Sequence, residues 1–181
     1  MPELPEVETI VRQLRPKISG RKILNIEILT DRITSDYKNK TELKKRIINQ
    51  KITKVSRMGK WVVLKLSSKE SLLFHLMMTG KLLLNPKEKN KHDRIVITLS
   101  GNTKLVFNDI RKFGKCKVTS SLEGLAGEDA LKIKFKNLKS LINSKDTTIK
   151  NFLLDQKNLA GIGNIYADEI LWEAGINPLR R

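Results

Sequence analysis

The residues with the greatest chemical potential stand at the start of the chain. Met1 precedes a small residue, Pro2, so removal of Met1 would leave proline's own nitrogen as the α-amine. α-Amines as a class titrate near ~7.7–8, so a sizeable neutral fraction exists at pH 7, unlike a lysine. An amine attacking the anomeric carbon of a sugar gives an iminium ion, which acidifies the neighbouring carbon. Loss of a base and cleavage of a strand can then follow from one intermediate. Glu3 is adjacent and placed to shuttle protons, and Glu6 lies one helical turn on. Taken alone, these residues fit an ordinary processed terminus with glutamates decorating a helix start better than they fit a nucleophile.

Four further segments carry candidate chemistry. In Arg57-Met58-Gly59-Lys60-Trp61, Gly59 allows a tight turn into a strand, and Lys60 sits at that strand's start, where an ammonium can reach a phosphate or simply be solvated. The segment His75-Leu76-Met77-Met78-Thr79-Gly80 leaves a strand for a loop. A histidine there is ordinarily a satisfied core residue and a methionine ordinarily core filler, yet methionine is also a flexible wedge suited to the hole left by an extruded base. In Asn108-Asp109-Ile110-Arg111-Lys112-Phe113-Gly114, Arg111 can hydrogen-bond an orphaned base edge and Phe113 can stack between bases; the plainer alternative is a turn with a buried phenylalanine. Gly161 and Gly163 allow a tight turn into a helix N-terminus whose backbone amides form an anion site, although a lone Gly-x-Gly is weak.

Such residues need rigid elements to hold them. Glu6–Leu14 reads as a helix, with Pro5 in its first turn, apolar residues Val7, Ile10, Val11 and Leu14 at helical spacing, and Pro16 and Gly20 as its end. Strands are expected at Ile23–Leu29, Lys51–Val55, Trp61–Leu66, Leu72–Met77, Arg94–Leu99, Lys104–Phe107 and Lys115–Thr119, with a short helix at Thr41–Ile48. From about Ser120 the pattern turns helical. Leu131, Phe135, Leu138 and Ile142 recur four, three and four apart, a helical pattern, Thr147 or Thr148 caps a second helix, and a third runs from about Asn164 to about Ala174 with Gly175 as its stop. The expected class is α+β: an N-terminal helix with a two-sheet β-sandwich or flattened barrel over residues 1–119, then a helical region over 120–181.

Composition points to the partner. The chain has 36 Lys and Arg against 19 Asp and Glu, a formal net charge of +17 over 181 residues. That surplus favours a polyanion, nucleic acid first, because each neutralised phosphate releases counterions; a basic ribosome-associated or merely soluble protein is the alternative. No stretch approaches the ~20 apolar residues of a membrane span, and the acidic start is no secretory signal; the lone cysteine fits a cytoplasmic setting. The single cysteine, Cys116, cannot form an internal disulfide, nor a four-ligand zinc site with only His75 and His92 to help.

The opening PELPEVETI closely resembles the N-terminal signature of the formamidopyrimidine-DNA glycosylases; the related endonuclease VIII branch usually has glycine where this chain has Leu4. The resemblance extends through Arg-x-Gly-Lys-aromatic, His-Leu-x-Met-x-Gly, Asp-x-Arg-(Arg/Lys)-Phe-Gly and the string from Leu154 to Glu169, in the family's order. It implies Pro2 as Schiff-base nucleophile, Glu3 as acid/base, Glu6 near the sugar, and Lys60 on a phosphate beside the lesion and assisting catalysis. It also implies phosphate contacts at His75, Lys150 and Asn164, and wedges at Met78, Arg111 and Phe113. The string from Leu154 resembles the family's helix–two-turn–helix. His92-Asp93 matches a family loop without an assigned role. The implied activity is a bifunctional glycosylase and AP lyase on double-stranded damaged DNA, acting as a monomer in the bacterial cytosol or nucleoid, without a cofactor.

Family members continue beyond the point corresponding to Arg181 with further helices, a lesion-sensing loop and a four-cysteine zinc finger. The chain is therefore expected to be a C-terminally truncated member, naturally reduced or a fragment, whose general chemistry is held more firmly than its substrate range. A lyase restricted to abasic sites and a non-catalytic damaged-DNA-binding module are the rival readings.

Overall fold

The structure, a computed structural model, describes residues 1–30, 32–34 and 40–181, with Lys40 through its backbone alone. The chain divides into two compact units: Met1–Arg57 with Trp61–Leu122, and Met58–Lys60 with Glu123–Arg181. The short excursion at Met58–Lys60 places Lys60 with the second unit.

The first unit opens with α1 (Leu4–Ile18). Val7, Val11, Leu14 and Ile18 recur at helical spacing, and none is more than 4% exposed. The helix passes through Pro16, which the sequence suggested as its end. Lying in the last turn, Pro16 forfeits only one backbone bond, and the buried Ile18 extends the apolar stripe beyond it. A second helix, α2 (Lys40–Ile47), buries Leu43 and Ile47.

Two four-stranded sheets complete the unit. One has the order β1 (Ile23–Ile28), β6 (Asp93–Leu99), β7 (Thr103–Asn108), β5 (Lys81–Leu84). The other runs β2 (Ile52–Met58), β3 (Trp61–Leu66), β4 (Ser71–His75), β8 (Lys115–Thr119). Ile26, Ile95, Ile97 and Phe107 from the first sheet share one buried cluster with Val62, Leu64, Leu72 and Phe74 from the second and with the α1 stripe. The class is α+β, as expected. Strand β5 was not anticipated. Its Lys-Leu-Leu-Leu sequence has no period-two alternation, because it lies at a sheet edge with its leucines half-buried. Strand β4 stops at His75 instead of continuing through the apolar Leu76-Met77, because Met77 takes a left-handed φ of 51°.

The second unit holds a two-residue parallel pair, β9 (Glu128–Asp129) with β10 (Leu159–Ala160), and helices α3 (Phe135–Asn143), α4 (Ile149–Leu154) and α5 (Asn164–Glu173). Its core is Phe152, Leu153, Leu159, Ile162, Ala167 and Leu171. The Thr148 hydroxyl caps α4 by accepting the Asn151 N–H, and Gly175 stops α5 at φ 64°. The helical stripe expected from Leu131 to Ile142 is only partly realised. The Asp129 carboxylate accepts the Leu131 N–H at 3.1 Å and folds residues 129–132 into a turn, so α3 begins at Phe135. Leu131 and Phe135 are then 75% and 79% exposed, not inward-facing.

Two glycines in the first unit are needed for space. A Cβ on Gly80 would lie 2.5 Å from the Leu76 carbonyl oxygen and 2.9 Å from Phe107, and one on Gly114 would lie 2.5 Å from Phe107. Gly80→Ala is accordingly expected to cost about 1–3 kcal/mol of unfolding free energy, since the close neighbour is backbone. Denaturant titration checks this; an unchanged midpoint would show that the loop yields without cost.

Candidate functional site

The first residues of the chain are held by the helix they begin. Glu3 is the N-cap of α1 and forms a capping box with Glu6, whose Oε2 accepts the Glu3 N–H at 2.8 Å. Glu3 is only 2% exposed, whereas Pro2 beside it is partly open to solvent. The helix is tied down one turn later. Glu8 accepts from Arg57 Nε at 3.1 Å and from Arg12 Nε at 3.1 Å, and the Arg57 side chain is 6% exposed. Burial raises the Glu8 carboxyl, but the bonds and charges of Arg12 and Arg57 outweigh it and hold the group below its ordinary value. Arg57 thus anchors the end of β2 to α1. The Arg57 motif had been singled out for its lysine, not for this arginine.

Two loops of the same unit carry the candidate DNA-filling side chains. His75 closes β4 with its ring edge-on to Trp61 at 4.9 Å. Its Nδ1 accepts the Met77 N–H at 3.1 Å, which leaves the proton of the neutral ring on Nε2. Met78, 48% exposed, projects from the next turn and is not core filler. In the second loop Phe113 is 38% exposed rather than buried, and the Arg111 guanidinium lies 4.8 Å from its ring centroid. Both loops converge on a residue to which the sequence reading gave no role. Asp109, with no exposed surface, accepts the Gly114 N–H at 2.8 Å, the Arg111 N–H at 3.2 Å and the Thr79 hydroxyl.

In the second unit, Gly59 (φ 54°) and Lys60 turn β2 into β3. A Cβ on Gly59 would stand 3.1 Å from Ala160 Cβ, so this turn lies close against the Ala160–Gly161 segment. Lys60 is 6% exposed, a placed group and not the solvated lysine that its motif left open. The Gly161–Gly163 turn is clamped by Gln156, which donates to the Leu154 and Ile162 carbonyls at 2.9 and 2.7 Å and accepts the Gly161 N–H at 3.0 Å. Asn164 follows as the exposed first residue of α5. Lys150 on α4 pairs with Asp168 on α5 at 2.6 Å, both partly exposed.

Comparison with known proteins bears on this arrangement. The formamidopyrimidine-DNA glycosylase N-terminal domain model matches residues 1–116, and the formamidopyrimidine-DNA glycosylase H2TH domain model matches residues 126–181. The formamidopyrimidine-DNA glycosylase of Carboxydothermus hydrogenoformans is 44% identical over 184 residues, spanning 99% of this chain and 68% of that protein. The chain belongs to the formamidopyrimidine-DNA glycosylase family. The Rickettsia bellii member is 40% identical over 190 residues, spanning 98% of this chain and 68% of its own length. Lactococcus lactis Fpg in complex with DNA containing an abasic site has a TM-score of 0.84 at 32% identity, covering 99% of this chain and 69% of that one. The same Fpg with DNA containing FAPY-dG also gives 0.84 at 32% identity, covering 99% and 71%.

The single cysteine, Cys116, is buried in β8, where desolvation pushes its thiol far up and keeps it protonated. Among the described residues no group of three or more His, Cys, Asp or Glu is arranged to hold a metal ion, and no helix is long and apolar enough to cross a membrane.

The Glu8 pairing gives the α1 anchor a pH signature. A depressed carboxylate stabilises fully above its unfolded value, about 4.3 for glutamate, and the contribution is lost as pH falls through the lower native value. Glu8→Gln is expected to lower stability at neutral pH by about 1–2 kcal/mol, with the gap from the parent protein closing in acid. Urea midpoints at neutral pH and at about pH 3 test this; a gap that stayed constant would remove the charge from the explanation.

Proposed function

We propose that the chain is a bifunctional DNA glycosylase and AP lyase that excises formamidopyrimidine and 8-oxoguanine from duplex DNA. The observation that carries the reading is the pairing of a partly open Pro2 with a buried Glu3 at the capped start of α1, in a chain of this family. The solved relatives from Lactococcus lactis hold DNA with an abasic site or FAPY-dG, which supports a damaged-duplex substrate.

In this reading Met1 is removed and the Pro2 nitrogen, as a neutral amine, attacks C1′ of the damaged nucleoside. The N–C1′ bond forms as the glycosidic bond breaks, and the base departs with a proton supplied through Glu3. The closed-ring aminal so formed then opens: its C1′–O4′ bond breaks, O4′ takes a proton, and the resulting iminium acidifies C2′–H. Loss of that proton expels the 3′-phosphate, a second elimination expels the 5′-phosphate, and water then releases the amine. Glu6 keeps Glu3 in register through the capping box. Met78, Arg111 and Phe113 fill the space vacated by the base, and Lys60, His75, Lys150 and Asn164 grip phosphates. Covalent catalysis by the chain's own amine needs no cofactor.

Borohydride reduction of the iminium tests the mechanism. The protein is expected to trap covalently on duplexes containing 8-oxoguanine or an abasic site. Pro2→Gly or an uncleaved N-terminal tag should weaken or abolish trapping. Trapping on abasic DNA alone would restrict the activity to lyase chemistry; binding without any adduct would reduce the chain to a damage-binding module. Binding should also weaken with salt, log K falling against log [salt] with a slope as steep as about −2 or steeper, the share of Lys60 and Lys150 alone. A flat dependence would contradict the phosphate grip.

A further inference from the structure

The buried Asp109 is engaged on every hydrogen-bonding side. Its carboxylate binds the two loops already described. Its backbone N–H donates to the His92 carbonyl at 2.9 Å, and its own carbonyl accepts Arg94 Nε at 2.7 Å. Arg94 is itself only 7% exposed. Hydrogen bonds to a buried carboxylate are of the strong class, and a half-satisfied network of this kind costs more than none. Asp109 is therefore fixed, and whatever it holds is fixed with it.

One of its partners crosses between loops. The Thr79 hydroxyl, next to Met78, donates to Asp109 Oδ1 and accepts the Arg111 N–H at 3.2 Å. The same Oδ1 accepts the Arg111 N–H directly, and Oδ2 takes the Gly114 N–H next to Phe113. Met78, Arg111 and Phe113 are thus each adjacent in sequence to, or themselves make, a bond in one cluster. Gly80 and Gly114, which flank the two loops, both lie against the ring of Phe107. Neither loop can shift far without breaking bonds to the buried carboxylate.

We propose that Thr79 and Asp109 are positioning residues that join the Met78 loop to the Arg111–Phe113 loop, so that the three side chains enter the DNA stack as one wedge. The inference rests on the functional reading above and deepens it. Inserting three groups separately would require each to find its gap while the base pair re-forms. A coupled wedge meets all three conditions at once, because the loops' relative placement is settled before DNA arrives.

The coupling predicts a split between substrates. Excision from a duplex requires opening the stack, whereas elimination at an abasic site in single-stranded DNA does not. Thr79→Val keeps the side-chain shape and removes both hydroxyl bonds; Thr79→Ser keeps the hydroxyl. Thr79→Val is expected to slow single-turnover excision of 8-oxoguanine from a duplex by about tenfold or more, the scale of a lost charge-assisted bond. Its rate on single-stranded abasic DNA should stay within about twofold of the parent protein, and Thr79→Ser should restore most of the duplex rate. A 2-aminopurine opposite the lesion should brighten correspondingly more slowly with Thr79→Val. Equal losses on both substrates would assign Thr79 to general folding and overturn the proposal, as would no loss on either or failure of serine to rescue. A parent protein inert on both substrates would instead overturn the functional reading.

Discussion

The proposed nucleophile is a chain end, and such an end serves only if it does not fray, as the first residues of most domains do. The capped start of α1 is the constraint on which everything else in this protein depends. Glu6 takes the Glu3 N–H, and Glu3 is buried. The helix behind them is fastened by Val7, Val11, Leu14 and Ile18 in the core and by the Glu8–Arg57 pair on its flank. None of these contacts touches Pro2, yet each narrows the volume in which its nitrogen can move. A proline has a fixed φ and few rotamers to lose, so a short tether of this kind suffices.

Buried polar groups supply the second level of order. Asp93 accepts the Asn108 amide at 2.7 Å and the Asn90 N–H at 2.9 Å, and Arg94 next to it binds three groups of the neighbouring loops. Burying polar side chains costs desolvation that hydrogen bonds must recover. Asp93 and Arg94 at the start of β6 and Asp109 just after β7 are all buried and hydrogen-bonded. What results is a rigid base from which exposed groups such as Met78 and Phe113 project. Exposed apolar side chains on rigid loops differ from those on mobile ones: their ordering entropy is already spent before a partner binds.

Much of this was legible in the sequence because the relevant signals are local. Trp61–Leu66 and Lys115–Thr119 occur where β-branched and apolar patterning placed them, and Asn164 and Gly175 bound the last helix as start and stop chemistry suggested. Illegible features depended on distant partners. The Arg57–Glu8 pair joins residues 49 apart, and Thr79 meets Asp109 across 30. No spacing rule connects such positions, so Arg57 read as a companion of Lys60 and Asp109 as part of a turn. Between Ser120 and Asp146 local rules competed: Leu131 satisfied helical periodicity, but the Asx turn at Asp129 was closer in sequence and prevailed. The left-handed Met77 was masked in the same way by its apolar side chain.

The Lys150–Asp168 pair bears on the proposed phosphate contact, since a lysine already paired is a poorer anion ligand than a free one. Its geometry answers the objection. At 33% and 58% side-chain exposure the two groups are screened by water, and pairs of this kind contribute only about 0–1 kcal/mol. A DNA phosphate offers full charge, several acceptor oxygens and release of condensed counterions, which together outweigh so weak an intramolecular partner. Meanwhile Asp168 holds the Lys150 side chain in one of its many rotamers. On the proposed reading the pair would hold the ammonium in place at little cost to its exchange for phosphate. In a chain with a surplus of 17 positive charges, the Asp168 carboxylate beside Lys150 leaves the long-range field strongly positive.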